Sequence, residues 1–253
     1  MSALMDGEWP DLLDCFPAAP PELVAARELR RRTDSKYVMP PATAADVLRL
    51  LTGRCAVLGT GNGPLASYRT LYFDTPELDC FHAHRRGRRV RHKVRIRHYV
   101  DRHLSFLEVK TRRSEFLTTK IRREREYGHD ELSADDHAFV SDNTGIIEPM
   151  APQVWTNFRR LTLLGIEANE RLTIDLEFRV EQGGRGRSLA AIAIVEVKQW
   201  PLHRNAPIMS ALGVAHGRPG WVSKYCAAVA LLRPDVRCNE LLPGLRALER
   251  AAS

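Results

Sequence analysis

Apolar and charged residues alternate through much of this chain, and alternation with period two is the mark of strands. In Arg89–Tyr99, the residues Arg89, Arg91, Lys93, Arg95 and Arg97 fall on one face. Val90, His92, Val94, Ile96 and His98 fall on the other. The pattern recurs elsewhere. Arg32, Asp34 and Lys36 share a face with Tyr37 opposite, and Glu108 and Lys110 oppose Leu107 and Val109. Thr118, Lys120, Arg122 and Glu124 line up together. Arg171, Thr173, Asp175 and Glu177 oppose Leu172, Ile174, Leu176 and Phe178, while Glu196 and Lys198 oppose Val195 and Val197.

These runs predict strands over 30–38, 67–73, 89–99, 104–112, 116–127, 154–163, 171–180 and 189–199. Helical spacing is expected over 42–51 behind Pro40-Pro41, and again over 205–213 and 223–232. One short helix is expected within 128–150, and a helical or irregular piece leads to Gly87. There is no β-α alternation, so the pattern predicts an α+β protein on one mainly antiparallel sheet or barrel. Residues 1–25, with Pro10, Pro17, Pro20 and Pro21, read as a flexible tail. A single domain is expected over 26–235, followed by an amphipathic tail over 236–253.

Two architectures accommodate the charged faces. In an open sheet they point to water while the apolar faces pack on helices. In a barrel with a polar interior they surround a bound polyanion, with carboxylates able to hold a divalent metal. Mixed acid–base faces on strand after strand are explained by the barrel, but the period alone leaves both standing.

Composition narrows the partners. The net charge of +7 and pI near 9.4 favour a polyanion. Nucleic acid, acidic lipid and phosphorylated metabolites satisfy that equally. Sheets that read RNA interleave aromatics with bases, and the Arg89–Arg97 face has none, so no specific nucleic acid is expected. Five cysteines without CxxC spacing argue against a disulfide framework or zinc knuckle and fit a reducing cytoplasm. Residues 1–21 lack a signal-peptide pattern, and the apolar stretches 189–195 and 226–232 are too short to span a bilayer. A Walker-type loop is missing as well. His82-Ala83-His84 reads as a surface loop beside Arg85 and Arg86 rather than a metal pair, and Asp74-Thr75-Pro76 as a turn.

Short motifs follow one another in order. They are Arg31–Tyr37, Leu71–Thr75, Lys93–Arg97, Leu107–Lys110, Lys120, Phe158–Arg160, Arg171–Asp175, Val195–Lys198 and Ser223–Cys226. On these the sequence resembles the VTC (vacuolar transporter chaperone) polyphosphate polymerase domain, a branch of the triphosphate tunnel metalloenzymes or CYTH-like superfamily. The resemblance is collinear from Arg30 to Leu232. It implies a closed antiparallel eight-stranded β-barrel, a triphosphate tunnel with flanking helices. It also implies transfer of the ATP γ-phosphate to a growing polyphosphate chain. Carried over by position, Arg95, Arg97, Lys110, Arg171 and Lys198 are the expected catalytic cations. Lys36, Lys120, Arg160 and Lys224 are expected to hold further phosphates. Mn²⁺ or Mg²⁺ is expected on Glu196, with Glu108 and Asp175 as second choices. Tunnel triphosphatases open with Glu-x-Glu-x-Lys, whereas this chain has Arg32-x-Asp34-x-Lys36. That departure favours the polymerase branch over a hydrolase. The implied partners are ATP and polyphosphate, with any membrane coupling left to a separate membrane-protein subunit. A tripolyphosphatase and a non-catalytic polyphosphate or inositol-polyphosphate binding module are the alternatives.

Overall fold

The computed structural model describes residues 9–29, 32–114, 117–217, 219–220 and 223–252. Its strands are β1 (Thr33–Met39), β2 (Cys55–Val57), β3 (Leu65–Asp74), β4 (Arg91–Tyr99) and β5 (Leu104–Arg112). They continue with β6 (Thr118–Arg125), β7 (Ala151–Gly165), β8 (Glu170–Gln182), β9 (Arg185–Leu189) and β10 (Ala193–Gln199). Around them lie α1 (Trp9–Asp14), α2 (Pro21–Ala26), α3 (Pro41–Leu51) and α4 (Asp79–Arg85). The remaining helices are α5 (Ala134–Thr144), α6 (Pro207–Val214), α7 (Lys224–Leu232) and α8 (Leu242–Ala252).

All ten strands belong to one sheet, in the order β1-β10-β8-β7-β3-β4-β5-β6, with β2 added on β7 and β9 on β8. Every ladder is antiparallel. The closed eight-stranded barrel expected above is corrected here: the edge strands β1 and β6 do not pair. Residues 219–220 run beside β1 instead, where the Gly220 N–H donates to the Lys36 carbonyl at 2.8 Å. At the other edge β6 is largely exposed, and its Lys120, Arg122, Arg123 and Arg125 discourage edge-to-edge pairing by charge.

The sheet still curls. Laid flat at about 4.8 Å per strand, β1 and β5 would stand about 29 Å apart. Yet Lys36 of β1 and Lys110 of β5 border the same cavity. The charged face is the concave one, and the apolar face is covered by helices. Leu161, Leu163, Leu172, Ile174, Val195 and Val197 pack against α3 and α6. Helix α3 forms because Pro41 pre-sets its first turn, and its apolar stripe Ala44, Val47, Leu48 and Leu51 is buried. Val94, Ile96, Leu107 and Val109 belong to a second cluster beside α4 and α5. Helix α5 starts on a reciprocal Ser133–Asp136 capping box and stops at Gly145, whose φ of 75° is left-handed.

Segments of both expected tails pack on the rest of the domain. Trp9, Leu13 and Phe16 are buried against the α3 side of the core. Leu241, Leu248 and Ala251 are buried beside α7, and Glu240 accepts two hydrogen bonds from the buried Arg85 at 2.8 and 2.9 Å. The apolar residues of each segment cover sheet and helix surface that would otherwise meet water.

Candidate functional site

Cross-strand register places the predicted site residues together. Lys36 lies opposite Glu196, Arg160 opposite Asp175, Arg95 opposite Glu108, and Lys110 opposite Lys120. Lys198 lies opposite Arg171 on β8 and Asp34 on β1. One concave face therefore carries Lys36, Arg95, Arg97, Glu108, Lys110, Lys120, Arg160, Arg171, Asp175, Glu196 and Lys198, and α7 adds Lys224.

Three carboxylates organise most of these cations. Glu108 is fully buried and accepts from Arg95 at 2.6 and 2.8 Å and from Lys120 at 3.0 Å. Burial alone would raise its pKa, but Arg95, Arg97 and Lys120 outweigh burial and hold it well below the usual carboxylate range. Asp175 accepts from Arg160 at 2.5 and 2.8 Å and from Lys224 at 2.5 Å. Those two cations likewise overcome burial and keep it ionised. Glu196 pairs with Lys198 at 2.6 Å and stands 3.8 Å from Lys36. Its pKa is also held well below normal, against burial, by Lys198, Lys36 and Lys110.

Aromatic rings fill the space among these pairs. Tyr68 stacks on Phe158 with centroids 5.2 Å apart, and Arg97 lies 5.2 Å above the Tyr68 ring. Lys224 stands 4.8 Å from the Phe158 centroid. Tyr225 stacks on Tyr72, and its hydroxyl donates to Asp74 at 2.5 Å. Asp74 also accepts from the backbone N–H groups of Thr75, Cys80 and Phe81. The expected turn is thus the anchor that seats α7 and caps α4.

Two readings of the strands need correcting. Phe178 was expected on the apolar outer face with Leu176, and Glu177 on the charged one. The left-handed Glu177 (φ 54°) and a register shift between Asn157 and Arg159 break the alternation. Phe178 consequently turns inward near Lys224, and Glu177 pairs with Arg159 at 3.5 Å instead of joining the lining cations. His82 and His84 lie on α4 rather than a loop. His84 shares a hydrogen bond with the His92 carbonyl, and burial holds its pKa at about 2, so it is neutral.

The outer face holds a Ser105–His98–Asp130 chain, with contacts of 2.6 and 2.8 Å. Ser105 is fully buried, so this row braces β4, β5 and the following loop and offers no accessible nucleophile.

The open space lies at one end of the concave face. A cavity of about 800 Å³ is lined by Lys36, Arg91, Lys93, Lys110 and Arg112 on its strand side. At the opposite end of β4, around Tyr99, Arg160 and Arg171, only about 40 Å³ remains. Lys93 and Lys110 face each other across the β4–β5 ladder and have no ion pair among the described residues. Burial, followed by the neighbouring positive charges, lowers both to about 7. Sequence reasoning named Lys110 but missed Lys93, Arg91 and Arg112. The signal was present, since Arg91 and Lys93 alternate with the named Arg95 and Arg97.

The family profile for the VTC domain matches residues 31–233 of the 253. This chain belongs to the VTC domain family. No curated protein matches it closely enough to count as a relative. Among solved structures, the VTC domain resembles a Bacillus halodurans protein designated an adenylate cyclase. That likeness has 13% identity and a TM-score of 0.50, and covers 76% of this chain and 94% of the other. A Hippeastrum protein named as an adenylyl cyclase and described as having a dominant triphosphatase activity is also similar. Its identity is 17% and its TM-score 0.50, with 79% of this chain and 95% of that one covered. These likenesses show that the VTC domain shares its fold with both proteins.

The expected metal ligands do not converge. Among the described residues no three His, Cys, Asp or Glu side chains gather into a potential metal site. Glu108 and Asp175 are each held by two cations, and Glu196 stands between Lys198 and Lys36 at the edge of the lysine cluster. Such a donor set fits a Mg²⁺ or Mn²⁺ that brings phosphate oxygens as its other ligands, rather than a protein cage. No described helix is long and apolar enough to cross a membrane.

Proposed function

We propose that this VTC domain is an ATP-dependent polyphosphate polymerase, working on phosphates held along Lys36, Lys93 and Lys110. The carrying observation is that Lys93 and Lys110 border an open cavity without an ion pair among the described residues, with Lys36 beside them on Glu196, while Arg95, Lys120, Arg160, Lys198 and Lys224 are paired with Glu108, Asp175 or Glu196. A buried, uncompensated cation cluster favours an anion, and a run of phosphates offers one charge group per step. Arg95, Arg97, Lys120, Arg160, Arg171, Lys198 and Lys224 would extend the positive field and stabilise charge on the transferring group.

In the reaction, a terminal phosphate oxygen of the growing chain forms a bond to the γ-phosphorus. The bond to the β,γ-bridging oxygen breaks, and ADP leaves. The attacking oxygen is already ionised, so no protein base is needed. Glu196 would hold Mn²⁺ or Mg²⁺ together with phosphate oxygens; when bound, the metal offsets charge on the phosphates. A cytoplasmic location and coupling to a separate membrane-protein subunit belong to this reading.

Incubation with ATP and Mn²⁺ is expected to yield ADP and acid-labile polymer, detected by gel staining and ³¹P NMR. Arg95→Ala and Glu196→Gln should each reduce product at least about a hundredfold, the size of losing one charge-stabilising group. Release of ADP and monophosphate with no polymer would replace this reading with a triphosphatase, the activity described for the Hippeastrum protein. Phosphate binding with no product would identify a binding module.

A further inference from the structure

All six lysines of the chain stand on the concave face or at its α7 border, and every other strongly basic side chain is arginine. Guanidinium groups stay protonated, so amine chemistry is confined to these six side chains and the terminal amine. Carboxylates engage four of them: Glu196 meets Lys36 and Lys198, Glu108 meets Lys120, and Asp175 meets Lys224. Lys93 and Lys110 have no ion pair among the described residues, and Lys110 still feels the charge of Glu196. Lys93 is half-buried and borders the 800 Å³ cavity, where a small molecule can reach its amine.

An anchor for an anion lies next to it. Arg91 shares the face two residues away, about 7 Å along the strand, and Arg112 stands opposite Arg91 across the β4–β5 ladder. Both border the cavity without an ion pair among the described residues, and the buried Nε of Arg91 makes no hydrogen bond. Two permanent positive charges match a phosphate dianion, so Lys93 is not needed as its counter-ion. The other groups facing Lys93 are Lys36 of β1, Arg95 of β4, Lys110 of β5, His84 of α4 and the Cys226 thiol of α7. Burial, with Lys36, Arg95 and Arg91 adding to it against the Cys226 thiol, lowers the Lys93 amine to about 7. About half of it is then neutral at pH 7, against roughly one in two thousand for an ordinary lysine.

We propose that Lys93 is an acylation site for acyl phosphates, small mixed anhydrides whose phosphate docks on Arg91 and Arg112. The Nζ lone pair forms a bond to the carbonyl carbon, and the bond from that carbon to the bridging phosphate oxygen breaks. Inorganic phosphate leaves with the proton from nitrogen, and an amide remains. The amide is uncharged, so acylation removes a cation from the cavity and weakens its hold on phosphate chains. This goes beyond the polymerase reading and stands whether the domain makes, cuts or only binds such chains.

The test is peptide mass spectrometry of the full chain after exposure to acetyl phosphate at pH 7.5 in metal-free buffer. Lys93 is expected to gain an acetyl group about tenfold to a hundredfold faster than the exposed Lys120, since the larger neutral fraction is partly offset by lower basicity. Tripolyphosphate should protect it. In an Arg91→Gln/Arg112→Gln variant, the rate at Lys93 with acetyl phosphate relative to acetic anhydride, which carries no phosphate, should fall about tenfold. Acetyl phosphate treatment should lower the tripolyphosphate affinity of wild type about tenfold, whereas Lys93→Arg should hold its own affinity through the same treatment. Labelling of Lys93 no faster than Lys120, labelling of Lys110 in its place, or an unchanged rate ratio in the arginine variant would overturn the site. An acetylated wild type that binds tripolyphosphate as before would overturn its control of binding.

Discussion

Asp175→Ala is expected to destabilise the protein by about 3–5 kcal/mol, the usual cost of leaving buried charges without their partner. Asp175 is 2% exposed and serves two cations at once, Arg160 and Lys224. Removing it leaves a guanidinium and an ammonium facing each other in a space already occupied by Phe158 and Phe178. Urea denaturation followed by circular dichroism should show the midpoint falling with little change in slope. Asp235→Ala, which removes an exposed partner of Arg233, is the control and should leave the midpoint unchanged. Tripolyphosphate should recover part of the loss in Asp175→Ala, because an anion bound to the cations of the concave face favours the folded state. A variant as stable as wild type would mean that water reaches these cations and the middle of the concave face is not dry.

Tripolyphosphate binding in metal-free buffer is expected to weaken as pH rises above 7, by about tenfold per pH unit for each lysine that titrates. Lys93 and Lys110 are lowered to about 7 in the free protein, burial being the first cause and the charges of Lys36, Arg91 and Arg95 adding to it. A bound anion restores their preference for the charged form, so binding above pH 7 must take up protons. Calorimetry in buffers of different ionisation enthalpy measures that uptake directly. Lys93→Met and Lys110→Met should each lower affinity at pH 6.5 and flatten the pH profile. Affinity that stays constant from pH 6.5 to 8.5, with no proton uptake, would refute the assignment.

The same groups set the stability of the free protein. Their folded pKa lies below the unfolded value of 10.5, so between about 7 and 10.5 the unfolded chain binds more protons. Stability therefore rises with pH across that window and is lower below it, where both buried ammonium groups are charged.

The local pattern of the chain was enough to place Arg95, Lys110, Arg171 and Glu196 on charged strand faces, because side-chain direction in a strand is a nearest-neighbour property. For the same reason the apolar faces and α3 were legible from spacing alone. The alternation failed where backbone geometry changed: at Glu177 a left-handed residue turned Phe178 inward. It was also silent about the packed ends, since Trp9 and Leu248 are buried by surfaces far away in sequence.

What the sequence by itself determined, then, is that this protein carries rows of cations punctuated by carboxylates on one face of a sheet. Only the tertiary structure decided which of those cations are free to act. Asp175 meets Lys224 across 49 residues and Glu108 meets Arg95 through a strand register, contacts that no periodicity encodes. The curl of the sheet brings Lys36 to the cavity of Lys93 and Lys110, whose strands lie far from β1 in the order of the sheet. In a buried interior the low dielectric makes a contacting opposite charge worth far more than it is in water, so the functional difference between Arg160 and Lys93 lies in their neighbours and not in their residue type.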